Sequence, residues 1–231
     1  MSLDNPALEL TCSQLIWGYT PKKALNSEPF SCNLVGPQLV LLMGKNGVGK
    51  SCLLRTIGGL TVPIQGQVNL NTLPINSHIA TFVFSFRPKV NYMTVSDLIL
   101  TAFVSTSDMS SLNGVQQKQY EQVITRLQLQ NLQHRYVNEI SDGEFQRAMI
   151  ARAIFRDTKL LILDEPTAFL DFHSKKALFL LLQELAMETQ KMIICSTHDP
   201  YLALKYGTLH WYIDEGVLKT VNADFITRVL L

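Results

Sequence analysis

A glycine-rich segment of eight residues, Gly44–Ser51, constrains this chain more than any other feature of its sequence. It reads GKNGVGKS, follows the apolar run Leu39–Met43 and opens the helical pattern KSCLLRTIGGL. It fits G-x-x-x-x-G-K-[ST] at every fixed position, a pattern whose glycines let backbone N–H groups wrap phosphates. A chance glycine-rich turn is the alternative, but a strand before and a helix after are what this loop requires. The segment therefore predicts a nucleotide phosphate site in an α/β fold.

Two side chains of this loop have distinct expected roles. Lys50 would bring a positive charge to the β and γ phosphates, and the Ser51 hydroxyl would ligate Mg²⁺. The N-terminus of the following helix would add its partial positive charge. We expect nucleotide contacts from the loop residues Gly44, Asn46, Gly47, Val48, Gly49, Lys50, Ser51 and Cys52.

A second segment, Leu160–Pro166, places two acidic residues after an apolar run. Its four apolar residues predict a buried strand that carries Asp164 to the C-terminal edge of a parallel sheet, where ligands usually bind. Asp164 would hold Mg²⁺ through water, and Glu165 would act as general base on the attacking water. A strand ending in Asp-Glu-Pro is often only a turn, but the phosphate loop favours the catalytic interpretation. The two motifs define only a broad class of nucleoside triphosphatases with a phosphate-binding loop (P-loop).

The order of the predicted elements indicates an α/β fold. The chain is rich in strands at first, then helical, and finally alternates strands with helices. We expect a P-loop core, a mainly parallel sheet flanked by helices, with an antiparallel β subdomain and an inserted α-helical subdomain. Residues 1–231 would form one domain, with the nucleotide-binding core in 1–85 and 156–231 and the helical subdomain in 86–155.

Charge and cysteine content give no support to a nucleic-acid-binding, zinc-binding or disulfide-linked protein. The formal net charge is +1, so bulk electrostatics favour neither nucleic acid nor an anionic membrane as a partner. The four cysteines show no CxxC spacing, which indicates free thiols and a reducing, cytosolic setting. The N-terminus lacks the pattern of a signal peptide. Glycines and prolines interrupt the longest stretch without charged residues, 56–86, so no membrane-spanning helix is expected there.

Between the two motifs lies the segment EISDGEFQRAMIARA, residues 139–153. Ser141 and Glu144 have the spacing of a capping box, in which each side chain pairs with an otherwise unpaired backbone N–H. A cap explains the start of a helix but not Gly143, which leaves the backbone open to close approach. The segment therefore predicts a helix whose N-terminus also contacts a ligand.

The order of these three motifs resembles that of the ATP-binding cassette (ABC) ATPases. The signature of that family is usually Leu-Ser-Gly-Gly-Gln, and here it reads Ile-Ser-Asp-Gly-Glu. Ser141 and Gly143 match, whereas Asp142 and Glu144 depart from the pattern. The resemblance extends over essentially the whole chain and implies ATP and Mg²⁺ as cofactors.

Three further positions match family motifs in the same order. Tyr19 is found where the family stacks an aromatic ring on adenine. Asp171, in the segment Phe169–Asp171, matches a loop that contacts the dimer partner. His198 matches a histidine that contacts the γ-phosphate. Each of these residues alone would more often be part of the core or surface, but together they support the resemblance.

Two departures bear on the rate of hydrolysis. The family usually has a glutamine that reaches Mg²⁺ at the end of a strand, and the spacing assigns Ser85 to that place. Cys52 replaces a second hydroxyl residue of the loop, and a thiol is a weak hydrogen-bond donor. These two departures predict slow or tightly coupled hydrolysis. Because Lys50, Glu165 and His198 remain, we expect the chain still to be an active enzyme.

The resemblance also implies partners. One phosphate loop and one signature imply a head-to-tail homodimer, in which Ser141, Gly143 and Glu144 contact ATP held by the facing subunit. ATP would close the dimer, and hydrolysis would release it and drive integral membrane permease subunits. The chain would then lie on the cytoplasmic, inner face of the cell membrane through that permease.

The helical subdomain is the family's docking region for a helix of the permease, and its start is rich in aromatic and apolar residues. Phe84, Phe86, Tyr92 and Met93 lie in this part of the chain. They could pack in the core or line a groove for a helix of the permease, and the sequence leaves both open.

Three segments, MTVSDLIL, SDGEFQRAMIARA and DEPTAFLDFHSK, resemble importers of iron chelates, haem and cobalamin, which would add a substrate-binding protein as an indirect partner. An exporter or lipoprotein-release ATPase is an alternative. A nucleotide-switched regulatory module with little hydrolysis is another, which the missing glutamine and Cys52 favour and Glu165 and His198 oppose. Nucleic acid is not an expected partner.

Overall fold

The computed structural model describes residues 8–20, 22–76, 79–84, 92–103, 112–168 and 170–231 of the chain. Its strands are β1 Glu9–Ile16, β2 Gly18–Thr20, β3 Lys23–Ala24, β4 Phe30–Val35, β5 Gln38–Gly44, β6 Gln65–Leu70, β7 Leu73–Pro74, β8 Ala80–Val83, β9 Leu160–Leu163, β10 Met192–Ser196, β11 Leu209–Asp214 and β12 Val217–Val221. Its helices are α1 Lys50–Ile57, α2 Val95–Leu100, α3 Gly114–Arg126, α4 Asp142–Phe155, α5 Phe172–Glu188, α6 Pro200–Tyr206 and α7 Ala223–Phe225, and a π-helical turn, Ile226–Leu230, follows α7.

The larger sheet has the strand order β12-β11-β5-β10-β9-β8 and is parallel except for its edge strand β12. The inner strands are apolar on both faces because the sheet is covered on both sides. In β5, Val40 and Leu42 face one hydrophobic cluster, whereas Leu39, Leu41 and Met43 face the other. Two cores therefore enclose the sheet, and the predicted α/β fold class is confirmed.

A smaller antiparallel sheet, β4-β1-β6-β7, covers one face together with α1. Strand β1 largely alternates buried with partly buried side chains, as expected for a sheet with one solvated face. Its Leu10 and the adjoining Trp17 share a cluster with Leu53 of α1 and Trp211 of β11. This packing fixes the small sheet against the helix that follows the phosphate loop.

Helices α2, α3 and α4 lie between β8 and β9 in the chain and belong to the other core. The ring of Phe155 at the end of α4 packs edge-on against Phe103 at 5.0 Å and Tyr120 at 5.7 Å between ring centroids. The expected start of the helical subdomain at residue 86 lies outside the described residues. None of the helices in the described ranges has both the length and the apolar character that a membrane crossing requires.

Asn26 is a buried polar residue that the sequence did not single out. Its Oδ1 accepts the backbone N–H of Trp17 at 2.9 Å, and its Nδ2 donates to the carbonyls of Leu15 at 3.0 Å and Glu28 at 2.7 Å. These three bonds fasten the end of β1 to the segment that follows β3.

Replacing Asn26 with alanine is expected to lower the free energy of unfolding by about 1–3 kcal/mol, because it leaves buried backbone groups unpaired. The measurement is urea denaturation followed by tryptophan fluorescence. Asn33→Ala is the matched control, because the Asn33 side chain is exposed and bonds only Glu9 at 2.8 Å. Equal losses in the two variants would contradict the structural role of Asn26.

Candidate functional site

The loop between β5 and α1 depends on two glycines with unusual backbone angles. Gly44 has φ 148°, and a Cβ there would lie 2.7 Å from the carbonyl oxygen of Ile213. Gly49 has φ 105°, and a Cβ there would lie 3.1 Å from Cδ1 of Leu25. Other residues would be strained at both positions. The backbone of this loop is therefore free to turn its N–H groups toward an anion.

The N-terminus of α1 has no side-chain cap. Its N-cap is Gly49, so no side-chain oxygen accepts the first N–H groups of the helix. By contrast, α2 to α6 each have a side-chain cap, supplied by Thr94, Asn113, Ser141, Asp171 and Asp199. The first N–H groups of a helix need a partner, and the helix dipole favours an anionic one. The phosphates of ATP fit this end of α1.

Lys50 is buried, with 4% of its surface exposed. Its Nζ donates to the carbonyls of Gly44 at 2.9 Å and Lys45 at 3.1 Å, and it lies 3.6 Å from Oε1 of Glu165. Burial lowers the pKa of the Lys50 ammonium group, and the charge of Glu165 opposes that shift. The site thus holds a buried cation whose neighbours compensate its charge only in part.

Asp164 and Glu165 follow β9 at the C-terminal edge of the large sheet, as the sequence predicts. Oε1 of Glu165 lies 2.6 Å from Nε2 of His198, so one carboxylate oxygen lies close to both Lys50 and the histidine. Ser196, at the end of the neighbouring strand β10, bonds to both Asp164 and Glu165. The sequence analysis did not identify this serine. Lys50, Asp164, Glu165, Ser196 and His198 are therefore called the catalytic cluster below.

The residues expected to hold Mg²⁺ suit that ion chemically. Ser51 lies in the first turn of α1 and is partly buried, and Asp164 is buried at the end of β9. Hydroxyl and carboxylate oxygens are the hard donors that Mg²⁺ prefers, and this ion commonly takes only one or two protein ligands beside phosphates and water.

Four other predicted contact residues differ in exposure. Asn46 and Gly47 are exposed at the tip of the phosphate loop, and Val48 is partly buried. Cys52 is buried in the cluster beneath α1, where burial raises the pKa of its thiol. Its predicted contact with a phosphate therefore depends on its backbone rather than on its thiol.

Tyr19 lies in the short hairpin of β2 and β3 and has 71% of its surface exposed. Trp17 precedes β2 and Leu25 follows β3, and a Cβ on Gly49 would come within 3.4 Å of both residues. The base of the hairpin therefore lies beside the phosphate loop. The ring is therefore available to a planar ligand near the start of α1.

Ser141 begins α4 with the predicted capping box. Its Oγ accepts the backbone N–H of Glu144 at 3.3 Å, and a Glu144 carboxylate oxygen accepts the backbone N–H of Ser141 at 2.8 Å. Hydrogen bonds from the N–H and hydroxyl of Ser141 lower the pKa of the Glu144 carboxyl. The signature segment therefore has a well-formed and exposed helix N-terminus.

The signature segment and the loop after Glu165 line one groove between α4 and α5. Ser141, Gly143, Glu144 and Asp171 all line it. Asp171 caps α5 by accepting the N–H of Ser174 at 2.8 Å, a bond that lowers the pKa of its carboxyl.

Gly143 and Leu170 are in close contact within this groove, because a Cβ on Gly143 would lie 2.9 Å from Cδ2 of Leu170. Lys50, Glu165 and His198, all within the described ranges, do not line the groove. The fold thus brings the predicted residues together in two groups. Ser85, Phe86 and Phe169 lie outside the described residues.

A glycine-rich loop from a parallel strand to a helix, a buried lysine and an acidic pair at the neighbouring strand end define a P-loop nucleotide-binding protein. The model of the family described as ABC transporter matches residues 28–168. The chain belongs to this family and is an ATP-binding subunit of an ABC transporter, an ATPase that uses Mg²⁺ with ATP.

Three curated relatives are similar over most of their length. The phosphonates import ATP-binding protein PhnC 2 of Haloquadratum walsbyi is 32% identical over 96% of this chain and 81% of its own. The hemin import ATP-binding protein HmuV of Escherichia coli O157:H7 is 31% identical over 77% and 72%. The lipoprotein-releasing system ATP-binding protein LolD of Ehrlichia chaffeensis is 29% identical over 81% and 83%.

A solved structure has the same fold. The cbiO1 protein of Clostridium perfringens, part of the ABC transporter complex cbiONQ, superposes with a TM-score of 0.80 at 23% identity. The superposition covers 96% of this chain and 91% of that one.

Proposed function

We propose that this chain is the ATPase of an importer for iron chelates, haem or cobalamin, and that ATP drives its closure as a homodimer. The observation that carries the proposal is the separation of two half-sites on one chain. The catalytic cluster lies beside the phosphate loop, whereas Ser141 and Gly143 line a different groove. In this proposal the γ-phosphate of one ATP contacts residues of both groups, so neither group alone forms a complete site.

The residues of the catalytic cluster and of the phosphate loop have separate tasks in this proposal. Lys50 and the backbone of Gly44–Ser51 bind the phosphates, and Ser51 and Asp164 hold the metal ion. Glu165 takes a proton from the attacking water, and His198 orients the Glu165 carboxylate through their 2.6 Å contact. Bound Mg-ATP would supply the bond that breaks, between the γ-phosphorus and the oxygen of the departing ADP, and a divalent charge that stabilises the negative charge developing there.

Two features at the edge of the site affect binding and rate. Tyr19 stacks on the base, a contact worth about 1–3 kcal/mol in nucleic-acid complexes that discriminates weakly between bases. Cys52 has no hydroxyl to offer the phosphates, and its thiol is a weak donor that is buried in the cluster beneath α1. Hydrolysis by the chain is therefore slow or tightly coupled to its partners.

The signature helix acts on the nucleotide of a second copy of the chain. Its exposed N-terminus carries a partial positive charge, and Gly143 lines the groove beside it. In the closed dimer, Ser141 and Gly143 contact the γ-phosphate held by the facing subunit, Glu144 contacts the same nucleotide, and Asp171 contacts the facing loop. Two equivalent sites then form from two copies, a closed arrangement of the kind that symmetric dimers favour.

The helical subdomain, residues 86–155, receives the permease and holds the chain at the cytoplasmic face of the membrane. Tyr92 has 88% of its surface exposed, and its segment pairs with that of Tyr136, which is also exposed. Phe84 and Met93 instead pack partly buried against the cores. Of the described candidates, we therefore assign docking to Tyr92, and we add Tyr136, which the sequence analysis did not single out.

The cargo class in this proposal rests on similarity. The hemin import relative and the three segments that resemble iron-chelate, haem and cobalamin importers support it. The lipoprotein-releasing relative favours a second candidate, an ATPase that works with an export or lipoprotein-release permease.

ATPase assays with the permease in lipid vesicles distinguish these two candidates. A substrate-binding protein loaded with haem, an iron chelate or cobalamin is expected to increase ATP turnover, because cargo arrival is coupled to dimer closure. The Glu165→Gln variant gives the background rate, since loss of a general base costs about 10²–10⁴-fold. Stimulation by a lipoprotein, and by none of the three cargoes, would overturn the importer proposal.

Replacing Ser141 with arginine is expected to preserve ATP binding by the monomer and to abolish closure and hydrolysis, because the side chain would obstruct the facing phosphate. Loss of the cap itself costs about 1 kcal/mol. The measurements are nucleotide affinity, ATP-dependent dimer formation by gel filtration, and turnover. Asn113→Arg removes the same type of capping box from α3 and serves as the control. Equal loss of turnover in both variants would indicate that Ser141 acts only as a cap.

Replacing Tyr92 with alanine is expected to weaken co-purification with the permease and leave ATP binding unchanged, because the exposed ring contributes little to folding. Tyr201→Ala is the control, since Tyr201 is half-exposed on α6 of the core. Normal permease binding by Tyr92→Ala would contradict the docking assignment.

A further inference from the structure

Ser196 ends β10 and is completely buried. Its strand is paired with β5 on one side and β9 on the other, and Ser196 itself is in register with Leu42 of β5. A hydroxyl at this position therefore lies beneath the loops that carry both the phosphate-binding lysine and the acidic pair.

The two hydrogen bonds of Ser196 have a fixed direction. Its Oγ accepts the backbone N–H of Glu165 at 2.8 Å and lies 2.9 Å from Oδ1 of Asp164. An ionised carboxylate can only accept, so the hydroxyl proton of Ser196 points to Asp164. One hydroxyl thus links the side chain of Asp164 to the backbone of Glu165.

Each bond has a consequence for the neighbouring acid. At Asp164, the bond to Oδ1 fixes the orientation of the carboxylate that would hold the metal ion or its water. At Glu165, it stabilises a backbone with φ 49°, a region that few residues other than glycine adopt. That bend directs the Glu165 side chain toward Lys50 and His198.

We propose that Ser196 is a positioning residue that sets the orientation of Asp164 and Glu165 together, and that Mg²⁺-dependent ATP binding requires its hydroxyl. This inference rests on the proposed function, because it needs Asp164 to hold the metal ion. Groups that orient a metal ligand commonly change metal affinity by about 10–100-fold when they are lost.

If the Ser196 hydroxyl had only a structural role, its loss would lower Tm but leave the Mg²⁺ dependence of ATP binding unchanged. The chain contains a matched control for such a structural effect. At the opposite edge of the same sheet, the buried hydroxyl of Thr158 bonds Oγ1 of Thr81 at 2.8 Å. Thr158→Val removes a buried hydroxyl without touching the catalytic cluster, and it is expected to lower Tm but not to change Mg²⁺ dependence.

The experiment measures ATP affinity of the full chain by calorimetry, with Mg²⁺ and with EDTA, and Mn²⁺ affinity of the nucleotide complex by electron paramagnetic resonance. Ser196→Ala is expected to reduce the gain in ATP affinity from Mg²⁺ and the affinity for Mn²⁺ by about tenfold. Affinity in EDTA is expected to stay at the wild-type value. Ser196→Cys, which keeps a side chain of similar shape but only a weak donor, is expected to behave in the same way.

Wild-type metal dependence in either folded variant would overturn the proposal. An equal loss of affinity with Mg²⁺ and with EDTA would also overturn it, since that result indicates a general structural defect. Failure of the proposed function has a separate signature, because the wild-type chain itself would then show no gain in ATP affinity from Mg²⁺.

Discussion

The parallel pairing of β10 with β5 and β9 is the constraint on which the rest of the site depends. Parallel strands end at the same edge of a sheet, so the loops that follow these three strands meet there. The chain segments concerned, 44–51, 164–165 and 196–198, are far apart in sequence. Burial of all three strands in two cores gives this edge its rigidity, because neither face of the sheet is free to move into solvent.

Electrostatics then give the edge its preference for an anion. The net charge of the chain is only +1, so the preference is local. A buried ammonium group, an uncapped helix N-terminus and two glycines with positive φ angles converge on the loop after β5. Glu165 compensates part of this charge, with Oε1 3.6 Å from Nζ of Lys50. In the proposed function, a phosphate that enters the site competes for the same lysine and releases the carboxylate to act on water.

Local patterns predicted the strands and helices well, and the reason is visible in particular residues. The runs at β5 and β9 are apolar throughout because both of their faces are buried, and Ser141 and Glu144 form the expected capping box. Asn26 and Ser196 were missed, because a buried polar residue carries no periodic signal and its partners come from other segments. For Phe84 and Met93 the sequence allowed two interpretations, and the packing of the cores favours burial.

The sequence by itself determined the phosphate loop, the acidic pair, the signature and their order, and with these the family, ATP and Mg²⁺. The motifs each depend on residues close together in the chain, so spacing identifies them, and the family follows from the resemblance that their order carries. Only the tertiary structure decided that Glu165 lies beside His198, that Ser196 bonds to both acids, and that Gly143 packs against Leu170 in a separate groove. These contacts follow from the order of strands in the sheet and from the packing of α4 against its neighbours, which local periodicity does not specify.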